Sequence, residues 1–203
     1  LARFVGIPEE RSTVVYPALD PIFATARPIA PVVVSGRPYA IAVGTTNRRK
    51  NLEIAIRALA YCDADLALVV VGASADAEGE IAALALACGV SDRVHRLGYV
   101  ADGELASIVS AARCLVFPSR FEGFGLPIIE AMSAGVPVIA SLDPSLDEAC
   151  GDSALRVDPD DVEGLAQAMT APDTSLIPRG RSHAAQFTYE RTGESVAVAI
   201  ETA

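Results

Sequence analysis

The chain alternates short apolar runs with helical patterns, and this alternation constrains its fold more than any other feature. Six runs rich in Val, Ile and Ala have the length of strands, at residues 39–44, 66–72, 93–98, 114–118, 136–141 and 154–158. Nearly continuous apolar runs are typical of parallel strands that are covered on both faces. Helical patterns follow them at about 51–61, 76–88, 102–112, 127–134, 145–150 and 161–169. We therefore predict an α/β fold with a doubly wound, parallel six-stranded sheet.

The two ends of the chain depart from this alternation. Residues 1–37 contain five prolines and few helical patterns, so we expect a connecting arm that leads into the sheet. A Rossmann-like domain is expected over residues 38–185, and within it residues 171–180 have the composition of a turn-rich connection. A last helical pattern, at about 188–201, places a C-terminal helix in residues 186–203.

Charge and composition narrow the classes of partner. The net charge of −10 argues against broad docking on nucleic acid or on anionic lipid. No run reaches the ~18 apolar residues that span a bilayer, and no secretory leader is visible, so we expect a cytoplasmic protein. The four cysteines and two histidines are spaced too widely for a metal site, and we predict neither a metal nor a cofactor.

Ligands of open parallel sheets bind outside the carboxyl ends of the strands, so the loop after each strand is informative. The first loop carries Arg48, Arg49 and Lys50 directly before Asn51, a residue suited to cap a helix N-terminus. Three cations and a helix N-terminus together favour an anion such as a phosphate. The alternative is a solvated charge run, which as an exposed loop cluster would contribute little to the fold. The loop lacks the second Gly and the Ser or Thr of a Walker A motif.

The loop after the fourth strand suggests a second anion site. Gly123 and Gly125 allow the backbone to approach a ligand closely, and Pro127 suits the first turn of a helix. The amides of residues 123–126 are then expected to be free at a helix N-terminus. A dinucleotide fingerprint is excluded, because Ile128 stands where its third glycine belongs and the loop follows the wrong strand.

Two carboxylates frame this loop, at Glu122 and Glu130. A carboxylate beside phosphates would repel them unless it faces neutral hydroxyl groups, and it accepts two parallel hydrogen bonds from a vicinal diol. Glu130, one turn into the helix, would reach a ribose, and Glu122 a second sugar on the other side of the phosphates. The alternative is that Glu122 is loop surface and Glu130 complements the helix dipole.

The stretch 122-EGFGLPIIE-130 resembles the E-x7-E motif of retaining family-4 glycosyltransferases, which have the two-domain GT-B architecture. The longer stretch 114-CLVFPSRFEGFGLPIIEAMSAGVPVIAS-141 carries most of the resemblance. Further agreement is found in residues 43–52, 97–105 and 151–169, and more weakly in the arm at 3–23 and the tail at 187–192.

The resemblance implies a role for each matching residue. Arg49 and Lys50 would hold the donor diphosphate, Glu130 would bind the ribose hydroxyls, and Glu122 would orient the transferred sugar, so that Arg49, Lys50 and Glu122 form the catalytic set. The remaining substrate contacts would come from the backbone, at Gly123, Phe124, Gly125 and Leu126 for the sugar and adjacent phosphate, and near Tyr99 and Val100 for the base.

The sequence departs from the family pattern at three points. Thr45 stands where many members have an Arg, and Pro17 and Ala18 replace the usual Asn-Gly of the arm. The family also pairs this half with an N-terminal, acceptor-binding half, which the 203 residues do not include. The resemblance therefore implies the C-terminal, donor-binding half, with residues 186–203 as the helix that crosses back to the missing half. Any peripheral contact with the inner membrane would be made through that half.

The activity implied is transfer of a hexose from a nucleoside-diphosphate sugar to an acceptor hydroxyl, with this half inactive alone. The stretch at residues 141–161 resembles members that use GDP-mannose, which would make the enzyme a mannosyltransferase. Two other readings stay open at this point, namely a sugar-nucleotide epimerase of the same architecture and a non-catalytic nucleotide-sugar-binding module.

Overall fold

The structure is a computed structural model that describes residues 6, 12–44, 48–72 and 78–201. Six parallel strands form one sheet, in agreement with the predicted fold class. They are β1 Tyr39–Val43, β2 Ala67–Val71, β3 Val94–Gly98, β4 Cys114–Phe117, β5 Val138–Ser141 and β6 Leu155–Val157. Some of the predictions concern residues outside this described part. These are residues 1–5 and 7–11, which belong to the arm, and residues 45–47, which include Thr45.

Helices cover both faces of this sheet. In the described part of the chain the α-helices are α1 Ile22–Thr25, α2 Leu52–Leu59, α3 Glu78–Ala87, α4 Asp102–Ser110, α5 Leu126–Ala134, α6 Asp147–Cys150, α7 Val162–Thr170, α8 Ile177–Ala184 and α9 Tyr189–Glu201. None of these helices is long and apolar enough to cross a membrane.

The four central strands, β1, β2, β4 and β5, are buried because helices cover both faces of the sheet, whereas the edge strands β3 and β6 are partly buried. Neighbouring side chains of a strand point to opposite faces. In β1, Tyr39 and Ile41 belong to a core layer with α1, α4, α5, α6 and α8, whereas Ala40 and Ala42 belong to a layer with α2, α3 and α7. The Tyr39 hydroxyl, although buried, donates a hydrogen bond of 2.5 Å to the carbonyl oxygen of Ile108. This double cover accounts for the continuous apolar runs seen in the sequence.

The arm is partly integrated into the domain. Leu19, Phe23 and Val34 are buried in the same core layer as Tyr39, and the Leu19 amide donates to the Phe187 carbonyl at 2.8 Å. The apolar side chains of the arm therefore contribute to the core, while the limits of the arm and of the C-terminal helix stay predictions.

Two helices lie outside the predicted helical patterns, namely the short α1 in the arm and α8. Residues 171–180 are expected to form only a connection, but α8 begins at Ile177. Pro178 is compatible with the first turn of this helix, whereas Gly180 lowers the helix propensity of its first half. Packing overrides that propensity, because α8 lies against α5 so closely that a Cβ atom on Gly180 would be 3.1 Å from Met132 Cγ.

The strand order places a crevice at the carboxyl edge of the sheet. The order is β3-β2-β1-β4-β5-β6, so the chain reverses its direction of winding between β1 and β4. Ligands of doubly wound sheets bind at such a switch point. The loops after β1 and β4, which carry the basic cluster and the glycine loop, are therefore neighbours.

Candidate functional site

The loops after β1 and β4 are joined directly. Arg48–Lys50 form a 3-10 turn, and the Arg120 amide donates to the Arg49 carbonyl at 2.9 Å. The Arg49 guanidinium contacts the same loop, since its Nη1 donates to the Phe121 carbonyl at 2.7 Å. These bonds fix the basic turn against the start of the glycine loop.

Glu122 lies between the two cations that the sequence assigned to the diphosphate. Its Oε2 is 2.5 Å from Arg49 Nη1 and its Oε1 is 2.8 Å from Lys50 Nζ. Burial alone would raise the pKa of Glu122, but hydrogen bonds from Lys50 and Arg49 outweigh it and hold the pKa below its usual range. The carboxylate is therefore ionised and pairs with both cations, which leaves one net positive charge on the three groups.

The expectation of an exposed, solvated cluster is wrong for part of this group. The side chain of Arg49 is 43% exposed, but that of Lys50 is only 17% exposed and that of Glu122 only 9%. The two cations and the carboxylate are thus partly removed from water. Their attraction is therefore screened less than it would be on an open surface.

Lys50 is held by its surroundings as well as by charge. Its Nζ lies 4.6 Å from the centre of the Phe117 ring, within the range of a cation–π contact. Gly44 leaves room for it, since a Cβ atom there would be 2.9 Å from Lys50 Cε. The backbone of Gly44 has φ +136°, which other residues rarely adopt. A glycine at the end of β1 thus allows the ammonium to lie inside the crevice.

Asn51 does not cap a helix with its side chain, contrary to the sequence prediction. It occupies the position before α2 with φ +50°, but its side chain makes no capping bond. Instead Nδ2 donates to the carbonyl oxygens of Pro118 at 3.2 Å and Pro159 at 2.8 Å. The amide therefore ties together the loops after β4 and β6, and buried carbonyl groups take precedence over the cap.

The glycine loop presents backbone donors to the crevice. Gly125 precedes α5 with φ +104°, and a Cβ atom there would lie 3.1 Å from Ile128 Cδ1 and 3.2 Å from Leu146 Cδ2. Among the described residues, no protein acceptor is found for the amides of positions 123–126. These donors lie at the N-terminus of α5, as the sequence predicted, and their use as an anion site stays a prediction.

Phe124 anchors this loop to the two ends of the chain. Its ring centroid lies 5.8 Å from that of Tyr16 in the arm and 5.3 Å from that of Phe187. Aromatic pairs at these separations are attractive. The side chain of Phe124 is thus used for packing between the loop, the arm and the C-terminal region.

Glu130 lies half-buried in the second turn of α5. Burial raises its pKa to about 7, and the negative charges of Asp102 and Asp20 add to the effect. No cation is placed beside it among the groups that shift this pKa. A buried carboxyl group with a raised pKa and no cation beside it is more typical of a binding site than of a structural ion pair.

Tyr99 and Val100, the predicted base contacts, follow β3. Tyr99 is 81% exposed, whereas Val100 packs against the core. Strands β2 and β1 lie between β3 and β4, so these two residues are at the far side of the crevice from Glu122.

Ser145 and, through it, Asp143 also contact the start of the glycine loop, although the sequence predicts neither residue. The Glu122 amide donates to Ser145 Oγ at 2.8 Å, and Ser145 Oγ donates in turn to Asp143 Oδ1 at 2.5 Å. The sequence does contain an indication of this contact. Asp143, Pro144 and Ser145 form a turn sequence, and they lie in the loop after β5, at the carboxyl edge of the sheet.

The arrangement suits a ligand with phosphates and hydroxyl groups. Two cations and a row of free amides favour an anion, and a carboxylate on either side favours diols. Within the described residues, no group of three or more His, Cys, Asp or Glu side chains is placed to hold a metal ion.

Comparisons with known proteins agree with this chemistry. Residues 29–171, more than half of the chain, match the family profile described as "Glycosyl transferases group 1". The O-antigen chain mannosyltransferase B of Escherichia coli is 35% identical over 162 residues, which cover 75% of this chain and 42% of that protein. The O-antigen chain mannosyltransferase RfbU of Salmonella typhimurium is 31% identical over 78% of this chain and 45% of its own length.

Solved structures share the fold of this chain. Sucrose-phosphate synthase from Thermosynechococcus elongatus has a TM-score of 0.77 and 28% identity, over 92% of this chain and 51% of that one. The fold is also shared with Anabaena Alr3699/HepE, solved in complex with UDP and glucose, at a TM-score of 0.83 and 20% identity, over 98% and 59% of the two chains. The chain thus spans about half the length, or less, of the two mannosyltransferases and the synthase.

Proposed function

The chain belongs to the family Glycosyl transferases group 1, and from that premise we propose that it is the donor-binding half of a retaining glycosyltransferase. The reaction moves a hexose from a nucleoside-diphosphate sugar to an acceptor hydroxyl. An N-terminal half that binds the acceptor completes the enzyme, which is consistent with the greater length of the relatives.

One observation carries this proposal. Arg49, Lys50 and Glu122 meet at the switch point of the sheet, beside the free amides at the start of α5. The cations and amides match the negative charge of a diphosphate and the further charge that develops on it as it leaves the sugar. Positioned donors that stabilise developing charge on a leaving group account for much of the rate of such reactions.

The two carboxylates divide the sugars of the donor between them. Glu130, one turn into α5, binds the ribose hydroxyls, and Glu122, at the start of the loop, orients the hexose. Tyr99 and Val100 flank the base through their backbone. Mannose as the transferred sugar is supported by the mannosyltransferase relatives and by the stretch at residues 141–161.

A panel of nucleotide sugars tests this function. UDP-, GDP- and ADP-sugars are added to the purified chain, and its melting temperature is followed. A ligand at ~100 times its dissociation constant stabilises the fold by ~2.7 kcal/mol, which for a domain of this size is a rise of about 5–10 °C. We expect such a rise with one nucleotide series, and GDP-mannose to be the strongest member.

The control is the matching free nucleoside, which lacks the diphosphate and should give little or no rise. If no nucleotide sugar raised the melting temperature at millimolar concentration, the proposed function would be wrong.

A further inference from the structure

A second layer of polar residues stands behind Glu122. Asp143 Oδ1 accepts from the amide of Ser145 at 2.9 Å and from its hydroxyl at 2.5 Å. Both donors of Ser145 are therefore used by one carboxylate, and the lone pairs of its oxygen are turned away from Asp143. The Ser145 oxygen accepts a hydrogen bond from the Glu122 amide at 2.8 Å. The chain Asp143, Ser145, Glu122 crosses from the loop after β5 to the loop after β4.

The loop that carries Asp143 is itself fixed. Arg156 in β6 donates to the carbonyl oxygens of Ser141 at 2.7 Å and Asp143 at 2.9 Å, and to Asp147 Oδ1 at 2.9 Å. Its side chain is only 17% exposed. A planar guanidinium with three acceptors holds its partners in one geometry. Ser145 is thus presented to Glu122 from a rigid support.

The same local turn occurs elsewhere without this contact. Asp173 Oδ1 accepts from the Ser175 amide at 2.9 Å and from the Ser175 hydroxyl at 2.6 Å, and both turns begin a 3-10 helix. Ser175 is exposed, and none of its hydrogen bonds leads to Glu122. The bond to the Glu122 amide is therefore an addition to the turn and is not needed to form it.

We propose that Ser145, oriented by Asp143, is a positioning residue for Glu122 that makes donor binding selective for a nucleotide that carries its sugar. The inference rests on the proposed function. Glu122 reaches the hexose from the first residue of the glycine loop, so its direction depends on where its own backbone is held. A hydroxyl whose proton is bound to a carboxylate is a stronger acceptor, which makes the hold firm. Arg49 and Lys50 belong to another loop, so the attraction that these two cations exert on the diphosphate does not depend on Ser145.

The test measures dissociation constants by calorimetry for two pairs of probes, GDP with GDP-mannose and UDP with UDP-glucose. The pair that the wild-type chain binds more tightly is then used with Ser145→Ala. We expect affinity for the sugar-bearing nucleotide to fall about three- to tenfold, the loss of one hydrogen bond, and the bare nucleoside diphosphate to change by less than ~twofold. Ser145→Thr, which keeps the hydroxyl, should restore the preference for the sugar-bearing form.

Ser175→Ala is the matched control, since it removes the same turn contact away from the site, and it should leave both constants unchanged. An equal loss for both probes in Ser145→Ala, or no loss for either, would overturn the inference while leaving the proposed function in place. A wild-type chain that bound neither pair would overturn the proposed function, and this inference with it.

Discussion

The double variant Arg49→Ala, Lys50→Ala should lose most of the rise in melting temperature that a nucleotide sugar produces, and it should also be less stable without ligand. Ligand binding is lost because the chain carries −10 overall, so attraction of a diphosphate depends on this local cluster. Stability is lost because Glu122, only 8% exposed, would keep its charge without a partner. Breaking a buried pair in this way destabilises a fold by ~3–5 kcal/mol. Most of this loss should come from removal of Lys50, because the Arg49 side chain is half-exposed.

A third substitution separates the two effects. Adding Glu122→Gln removes the unpaired charge, so the triple variant should recover most of the lost stability in urea denaturation but none of the ligand binding. Arg27→Ala, Arg57→Ala removes the same amount of charge from two exposed positions and should leave stability nearly unchanged. A double variant at positions 49 and 50 that was as stable as this control at pH 7 would contradict the account of the Glu122 pairs.

Glu130→Gln should stabilise the chain without ligand much more at pH 8 than at pH 5. The folded pKa of Glu130 is about 7 against an ordinary value of 4.5. The folded chain therefore binds more protons than the unfolded chain between these values, and the stability of the wild type falls as pH rises through them. The difference between the two pKa values corresponds to ~3 kcal/mol. Glutamine mimics the protonated form and does not pay this cost at any pH.

The measurement is the free energy of unfolding in urea for both chains from pH 5 to pH 8. We expect an advantage for the variant of only about 1 kcal/mol at pH 5, because the unfolded carboxyl is already largely ionised there, and an advantage that grows to ~3 kcal/mol at pH 8, a difference of about 5–10 °C in melting temperature. The variant should nevertheless bind a nucleoside diphosphate more weakly, since it lacks the ribose acceptor. An advantage of the same size at pH 5, or none at pH 8, would show that Glu130 is not held at a raised pKa.

Much of the fold could be predicted because local and tertiary signals agree in it. Strands buried on both faces leave continuous apolar runs, and the six predicted strands match β1 to β6 with shifts of one or two residues at their ends. Helix α8 was missed because there the two signals conflict. Pro178 and Gly180 indicate a turn, whereas the contact of Gly180 with Met132 requires a helix.

The residues of the candidate site could be named from the sequence, but their contacts could not. The sequence predicts phosphate-binding cations and two carboxylates for hydroxyl groups, yet it does not show that residues 49 and 122 are paired. That pairing follows from the strand order, which brings the loops after β1 and β4 together. The raised pKa of Glu130 likewise depends on its burial in the fold and, secondly, on the charges of Asp102 and Asp20, which are remote in the sequence. The bridging role of Asn51 depends on two carbonyl groups from other loops.

The pairing changes what is expected of Glu122 on donor binding. Its carboxylate is paired with Arg49 and Lys50, the cations to which we assign the diphosphate. Under the proposed function we infer that donor binding exchanges partners, so that the phosphates contact the cations and the carboxylate turns to the hexose hydroxyls. A bare nucleoside diphosphate would break the same ion pairs without offering a hexose to the carboxylate. On this account Glu122 favours the intact donor over the product that remains after transfer.

Titration of Glu122→Gln with a nucleoside diphosphate and with its sugar-bearing form, by calorimetry, tests this division of roles most directly. We expect the sugar-bearing donor to bind about tenfold or more weakly than to the wild type, since hydrogen bonds to a charged group contribute ~1.5–3 kcal/mol. The bare nucleoside diphosphate should bind as well as before or more tightly, because the two cations are no longer engaged. If it were weakened as much as the sugar-bearing donor, Glu122 would not be the residue that recognises the transferred sugar.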